Sequence, residues 1–210
     1  MKKYDYSKEL KTLYKPSSKT VSLVEVPEMS FLKIDGQGDP NSSQDFSEAV
    51  EALFSLSYAI KFYVKKNLEM DYRVFPLEGL WWADDMSAFD ANNKADWKWT
   101  LMIAQPQWVN TKFVAEQTAL VAQKKKLNVL KHLRFETYFE GMAAQIMHIG
   151  PFSTEGPTIE KIHNPWHGFS FFQFIILILL NKIVILSHTF TMTSLIRIAL
   201  TNLIILVMVL

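Results

Sequence analysis

The chain has 210 residues, a formal net charge of +1 at pH 7 and no cysteine. This length suits one domain or two small ones. The lack of cysteine excludes disulfides, thiolate metal sites and a cysteine nucleophile. The sequence shows no basic stripe, and its first residues (MKKYDYSKELKTLY) include no apolar leader. We therefore expect a cytoplasmic protein without a nucleic-acid partner.

The first part of the chain alternates between strand and helix patterns. Residues 1–20 are charged and are expected to form an extended lead-in. The elements that follow are a strand at Val21–Ile34, a helix from about Ser42 to Asn67, strands at Tyr72–Trp82 and Asp96–Gln105, and a helix at Thr111–Lys126. Ser42 with Asp45 has capping-box spacing, and the apolar residues that follow recur at helical intervals.

The pattern then begins again. Leu133–Ile149 predicts a long strand, broken near Gly141, and Pro157–His163 predicts the start of a helix. Both copies read as strand, glycine turn, polar spacer and helix, which indicates an internal repeat. We predict an α+β fold with an antiparallel sheet, built from a duplicated β-α-β-β module whose second copy is incomplete.

The composition changes sharply after residue 163. Residues 164–210 contain no Asp or Glu, and Lys182 and Arg197 carry their only permanent side-chain charges. We therefore predict a domain over residues 1–163 and a hydrophobic tail over residues 164–210.

Two interpretations of this tail compete. Phe169–Leu180 and Leu195–Leu210 are apolar, but each falls short of the roughly 20 uninterrupted residues that a membrane-spanning helix needs. A membrane partner is expected only if the tail is genuine, in which case residues 169–210 provide the attachment. We favour translation of a shifted reading frame, because Ile, Leu, Phe, Ser, Thr and Asn dominate a segment that begins abruptly inside a helix.

The run Pro76–Trp82 (PLEGLWW) is the clearest candidate site. A period of two places Glu78 and Trp82 on one face of the strand and Trp81 on the other. A carboxylate beside a tryptophan can hold a lipophilic cation, and a buried carboxyl that remains protonated can act as a general acid. The competing interpretation, which spacing alone slightly favours, is a solvated Glu78 beside core tryptophans.

Further candidates extend this groove. Trp97 and Trp99 lie on the neighbouring strand, and four tryptophans on two strands suit an aromatic ligand groove, although core packing also explains them. Glu140 belongs to an alternating set with Glu136 and Tyr138 that faces either a groove or solvent. Tyr58 lies on the first predicted helix, where two roles are open: either its hydroxyl reaches the groove or its ring packs in the core.

The sequence predicts no metal or cofactor. His148 ends a strand and is expected to be structural. His163 and His167 are four residues apart, but Pro165 lies between them and no third ligand is evident. Phosphate-loop, dinucleotide and zinc motifs are absent.

Several ordered motifs resemble the stand-alone GyrI-like small-molecule-binding proteins, over about residues 1–163. They are Phe31–Asn41 (FLKIDGQGDPN) with Phe46 and Ala49-Val50, Pro76–Trp82, Trp97-Lys98-Trp99 with Met102-Ile103, and Glu140-Gly141 with Gln145 and His148–Phe152. The resemblance implies duplicated β-α-β-β (SHS2-type) modules with a ligand groove between them.

The resemblance also implies two functions. One is binding of amphipathic or cationic small molecules, and the other is hydrolysis of strained cyclopropane rings in DNA-alkylating natural products. It implies catalytic roles for Glu78 and Tyr58, and ligand contacts for Trp81, Trp82, Trp97, Trp99 and Glu140. The chain departs from the family after His163, where relatives continue with more helix and with strands that carry a groove carboxylate. The sequence does not indicate the oligomeric state.

Overall fold

The computed structural model describes residues 1–40, 42–82, 95–150, 154–163, 173–178 and 204–209. The strands are β1 Lys2–Tyr4, β2 Ser22–Val26, β3 Met29–Gln37, β4 Met70–Tyr72, β5 Leu77–Trp82, β6 Lys98–Gln105, β7 Arg134–Tyr138, β8 Gly141–His148, β9 Gln173–Ile178 and β10 Ile204–Val209. The helices are α1 Tyr6–Glu9, α2 Lys11–Tyr14, α3 Gln44–Asn67, α4 Thr111–Lys124 and α5 Gly156–His163, with a 3₁₀ turn at Asn128–His132.

A sheet with the strand order β2-β8-β10-β9-β5-β6-β3-β7 forms the centre of the molecule, and its neighbouring strands are antiparallel. The order repeats itself. In the unit β3-α3-β5-β6 the first strand pairs with the third, and the third pairs with the second; β8-α5-β9-β10 has the same pairing. The predicted α+β duplication is therefore confirmed, and the two units meet where β5 pairs with β9.

The two units exchange their preceding strands, so that each unit's part of the sheet gains one strand from the segment before the other unit. β2 comes before the first unit but pairs with β8 of the second, and β7 comes before the second unit but pairs with β3 of the first. This exchange ties the two units together through backbone hydrogen bonds.

Two predicted strands are each divided at a proline. Val21–Ile34 separates into β2 and β3 around Pro27, and Tyr72–Trp82 separates into β4 and β5 around Pro76. Proline lacks the N–H that a sheet ladder requires, so the pairing changes at these points.

The N-terminal segment differs from its prediction. It is not extended throughout, because β1 is followed by α1 and α2. Leu13 and Tyr14 are buried at the end of α2, so this segment packs against the domain. β1 pairs in parallel with β4 and forms a separate two-stranded sheet.

Helix α3 ends at Asn67 as predicted, but Ser43 rather than Ser42 caps it. The Ser43 hydroxyl accepts a hydrogen bond from the Phe46 N–H at 3.2 Å, which satisfies one of the free amides of the first turn. Its apolar side packs on β3 and β6. Helix α4 ends at Lys124, two residues before the predicted end.

The core between α3 and the sheet contains two fully buried tryptophans. Trp99 lies edge-on against Phe46 of α3, with ring centroids 5.3 Å apart. Its ring covers Gly36 on the adjacent strand so closely that an added Cβ there would lie 2.1 Å from it. The absence of a side chain at Gly36 therefore creates the space that Trp99 fills.

The sequence predicted neither β9 nor β10, yet their backbones lie between β8 and β5. In the described part of the chain, no helix has the length and apolar character needed to cross a bilayer. Most of residues 164–210 lies outside the described residues, so the division into a domain and a tail, and the origin of the tail, stay predictions.

Candidate functional site

The junction strand β5 carries the first site residue, Glu78. Trp81 on this strand is directly opposite Trp99, so both tryptophans occupy the sheet face that packs on α3. Because side chains alternate along a strand, Glu78 points to the opposite face. Its side chain is only 5% exposed, which contradicts the competing expectation of a solvated strand edge.

Glu78 has a partner that the sequence did not indicate. The hydroxyl of Tyr14 donates a hydrogen bond to Oε1 of Glu78 at 2.9 Å, across 64 positions of sequence. Tyr14 is buried and packs on Phe75, the residue before Pro76. Burial raises the pKa of the Glu78 carboxyl to about 8, the nearby Glu140 raises it as well, and the hydrogen bond from Tyr14 acts in the opposite direction.

Glu140 lies in the turn between β7 and β8. Gly141 follows it with φ of +73°, a left-handed conformation that glycine adopts without a steric penalty. The Oε1 atom of Glu140 is buried and accepts no hydrogen bond from the described residues. Burial raises the pKa of this carboxyl to about 7. Glu140 in turn raises the pKa values of Glu78 and Tyr14, which indicates that the three groups form one cluster.

Several other carboxylates are paired with cations. Three on strands have a Lys or Arg partner: Asp35 with Arg134 at 2.5 Å, Asp71 with Lys61 at 3.1 Å, and Glu136 with Lys33 at 3.3 Å. In the described part of the chain, neither Glu78 nor Glu140 forms an ion pair. The cluster therefore contains acidic groups that no cationic side chain among the described residues neutralises.

A cationic group borders the same face of the sheet. Lys33 is opposite Met102, which is opposite Glu78, so the three share one face. Lys33 is only 5% exposed, and its Nζ lies 4.2 Å from the centre of the Tyr138 ring. Lys33 already forms an ion pair with Glu136 and contacts the Tyr138 ring. It therefore does not act as the counter-ion of Glu78 or Glu140.

The predicted tryptophan contacts are not gathered around Glu78. Trp81 and Trp99 are core residues on the opposite face, and Trp97, immediately before β6, is also buried in the core. The side chain of Trp82 lies outside the described residues. A role for Trp81, Trp97 and Trp99 in ligand contact stays a prediction, and they support the strands that carry the site.

Tyr58 also lies apart from the acidic cluster. It occupies the side of α3 that faces α4, where its ring stacks on Phe62 at 6.3 Å. Its pKa is raised by burial and lowered by Arg73, and neither Glu78 nor Glu140 influences it. Phe139, which precedes Glu140 in the turn after β7, is 62% exposed.

The remaining candidates are structural in their contacts. Nδ1 of His148 lies 3.0 Å from the Thr158 hydroxyl, and its Nε2 lies 3.3 Å from that of Thr154. No grouping of three His, Asp or Glu side chains suited to a metal ion is found among the described residues. The side chain of His163 and the whole of His167 lie outside them.

Replacement of Tyr14 by Phe tests the contact with Glu78. Because the hydrogen bond from Tyr14 lowers the pKa of Glu78, its loss is expected to move the midpoint of Glu78 titration above 8. The titration is measurable by NMR of side-chain carboxyl carbons. Tyr6→Phe is the control, since Tyr6 packs on the same Phe75 without contacting Glu78, and it should leave the midpoint unchanged. An unchanged midpoint in Tyr14→Phe would contradict the assigned contact.

Nearly the whole chain is similar in fold to several solved structures. A protein of unknown function from Listeria innocua has a solved structure that matches with 28% identity and a TM-score of 0.78, covering 97% of this chain and 98% of its own. Two solved structures of hydrolases from Listeria innocua match at 26% identity. The first has a TM-score of 0.77, and the match covers 99% of both chains. The second has a TM-score of 0.73, and the match covers 98% of both chains.

The search of curated proteins gives no significant match. The family model described as the GyrI-like small molecule binding domain matches residues 19–174, which is well over half of the chain. The matched region includes β2 through α5, with both acidic residues of the cluster. The chain therefore belongs to the GyrI-like small-molecule-binding domain family.

Proposed function

We propose that the protein binds amphipathic organic cations at the Glu78–Glu140 cluster. The observation that carries this proposal is a pair of neighbouring, largely buried carboxyl groups with no cationic partner in the described part of the chain. Burial of an unpaired charge is costly, so such groups favour either a proton or an external cation. An organic cation supplies the charge and also replaces water with apolar contact.

The surroundings support a cation with aromatic or aliphatic substituents. Tyr14 and Tyr138 provide ring faces and hydroxyl groups on this side of the sheet, and Phe31 packs edge-on against Tyr138 at 6.4 Å. Aromatic faces attract cations through their quadrupole, and this attraction is strongest where water is excluded. A small hydrated metal ion would gain little from these rings.

Affinity for such a cation is expected to rise with pH. The pKa values of Glu78 and Glu140 are about 8 and about 7, so at pH 6 both carboxyls carry protons and a cation must displace at least one. The dissociation constant should therefore fall about tenfold from pH 6 to pH 7 and level off above pH 8. Ethidium, a permanently charged aromatic dye, allows this to be measured by fluorescence anisotropy.

Calorimetry provides the control for this pH dependence. Titration of ethidium at pH 7 in two buffers with different ionisation enthalpies should show release of protons on binding. A neutral aromatic compound of similar size should release none. Affinity for ethidium that is constant between pH 6 and pH 8, with no proton release, would contradict the proposal.

The second candidate function is hydrolysis of strained cyclopropane rings. Two solved hydrolase structures match nearly the whole chain at 26% identity, which supports hydrolysis as the reaction class. The cyclopropane substrate is what the family resemblance implies. At neutral pH a carboxyl with a pKa of about 8 is a proton donor, and its neighbour with a pKa of about 7 can accept one. Glu140 would take a proton from water as its oxygen bonds to a ring carbon, and Glu78 would protonate the atom that receives the electrons of the broken C–C bond.

Product analysis separates the two functions. Incubation with a cyclopropane-bearing alkylating agent, followed by mass spectrometry, reveals a gain of one water molecule if the ring is opened. Multiple turnovers that disappear in Glu140→Gln would establish the hydrolase, whereas stoichiometric binding of intact compound would leave binding as the function.

A further inference from the structure

A groove lies between α3 and α4, on the side of the sheet opposite the acidic cluster. Tyr63 of α3 contacts Phe113 at the start of α4, and Lys125 at its end contacts Glu51, so the two helices run antiparallel. The groove between them has a volume of about 1140 Å³, slightly above the range of about 300–1,000 Å³ that is usual for small-molecule sites.

The floor and walls of this groove are apolar. Phe54 and Tyr58 lie one turn apart along α3, Phe62 follows one turn later, and Leu120 faces them from α4. Phe62 is 59% exposed and Leu120 is 47% exposed, although both are large hydrophobic side chains. Ala59 lies between these bulky residues, where a small side chain leaves the groove open.

The residues that line the groove carry more positive than negative charge. Lys124 lies at the end near Ser55, and its neighbour Lys125 is held there by Glu51 at 2.9 Å and by the Ser55 hydroxyl at 3.0 Å. Lys124 itself forms no ion pair in the described part of the chain. Lys66 lines the other end, and Glu116 is the one acidic residue among the described lining residues.

We infer that the α3–α4 groove binds a lipophilic organic anion, such as a medium-chain carboxylate. The anionic group lies at the Lys124 end, where the Ser55 hydroxyl is an additional polar contact. The apolar body extends along Tyr58 toward Phe62. The seven helical rises from Ser55 to Phe62 span about 10 Å, enough for a chain of about eight carbons. The opposite charge preference separates this groove from the acidic cluster.

Tyr58 is one of the residues that line this groove, so it would contact the apolar body of the bound anion. The family resemblance implied that Tyr58 acts together with Glu78, but the structure places it in the wall of this groove. Glu78 points to the sheet face away from α3, whereas the groove lies between α3 and α4 on the other side of the sheet. Occupancy of the groove therefore does not depend on the proposed cation site.

The test uses the full chain and 1-anilinonaphthalene-8-sulfonate, an anion whose fluorescence rises in apolar surroundings. Decanoate should displace the probe, and decyltrimethylammonium, which has the same chain and the opposite charge, should not. Lys124→Glu is expected to weaken probe binding about tenfold and to reduce its sensitivity to salt. Lys112→Glu is the matched control, since Lys112 is an exposed lysine on α4 outside the groove.

A second variant and a second measurement complete the test. Phe62→Ser removes an exposed side chain, so it should fold normally and weaken probe binding by a similar factor. Glu78→Gln should leave probe binding unchanged, which separates this site from the cation site. Probe binding that is insensitive to both Lys124→Glu and Phe62→Ser would overturn the inference. A dimer in sedimentation that dissociates in Phe62→Ser, with no displacement by decanoate, would overturn it as well.

Discussion

Glu78→Gln is expected to weaken ethidium binding about a hundredfold at pH 8 and to abolish its pH dependence around the Glu78 midpoint. Glutamine keeps the shape of the side chain and a hydrogen-bond acceptor for Tyr14, but it removes the charge. Loss of one partner from a buried charge pair costs about 2–5 kcal/mol, and the retained shape places this change near the lower end. About 2.7 kcal/mol corresponds to a factor of one hundred.

The same variant should fold at least as stably as the wild type. The pKa of Glu78 is about 8 in the folded protein, against 4.5 for an ordinary glutamate. A raised pKa contributes stability at pH values below 4.5, and this contribution is lost as pH rises through 8. Glutamine does not ionise, so at pH 8 the variant should have the larger free energy of unfolding. Weaker binding together with higher stability is typical of a functional site and cannot result from misfolding.

The matched control is Glu25→Gln, an exposed glutamate on β2 of the same sheet. It changes the net charge equally and should leave both ethidium affinity and the pH profile of unfolding unchanged. Equal loss of affinity in both variants would show that ethidium responds to overall charge, and the cluster would then have no specific role.

The architecture of the first unit follows closely from its sequence. Apolar spacing predicted α3 to its last residue, Asn67, because a stripe of Phe46, Val50, Leu53, Ile60 and Val64 has one helical period and one buried side. The internal repeat was visible because both units begin with a strand and a glycine turn. The predicted N-cap of α3, Ser42, is one position before the observed N-cap, Ser43, because the two serines have equivalent capping chemistry.

The site itself was only partly predictable. Glu78 was a candidate from the sequence, because a carboxylate beside tryptophans is unusual in a strand, although spacing alone slightly favoured a solvated position. The pattern of alternation does not show which face is the core, and the buried indoles of Trp81 and Trp99 occupy the α3 side. Tyr14 was missed because its contact crosses 64 positions from a charged segment. The only sequence signal was that Leu13 and Tyr14 are adjacent hydrophobic residues in that segment.

The strands β9 and β10 show a different limit. Their sequences, QFIILI and IILVMV, are continuous apolar runs without alternation. Such runs are typical of strands buried on both faces, but periodicity does not distinguish them from membrane or core helices. Neither run contains an acidic residue, so within the described strands the acidic groups of the site come from β5 and the β7–β8 turn.

Trp99→Ala is expected to lower the free energy of unfolding by about 3–5 kcal/mol, the usual cost of truncating a buried tryptophan. Trp99 is fully buried between Phe46 and Gly36, so the change leaves a cavity that surrounding strands fill poorly. Total stability of a domain is about 5–15 kcal/mol, and the variant should remain folded but with a much lower urea midpoint. Urea unfolding followed by circular dichroism measures the difference.

The cause can be isolated with a double-mutant cycle. Gly36→Ala places a Cβ 2.1 Å from the Trp99 ring and should lower the free energy of unfolding by about 1–3 kcal/mol through overpacking. Gly156→Ala is the control. Open space surrounds Gly156, so this change should have little effect on stability. In Gly36→Ala/Trp99→Ala the ring is absent and the added methyl group occupies part of its space. The double variant should therefore be no less stable than Trp99→Ala alone. Additive losses would show that Trp99 does not pack against Gly36, because residues that do not touch give independent effects.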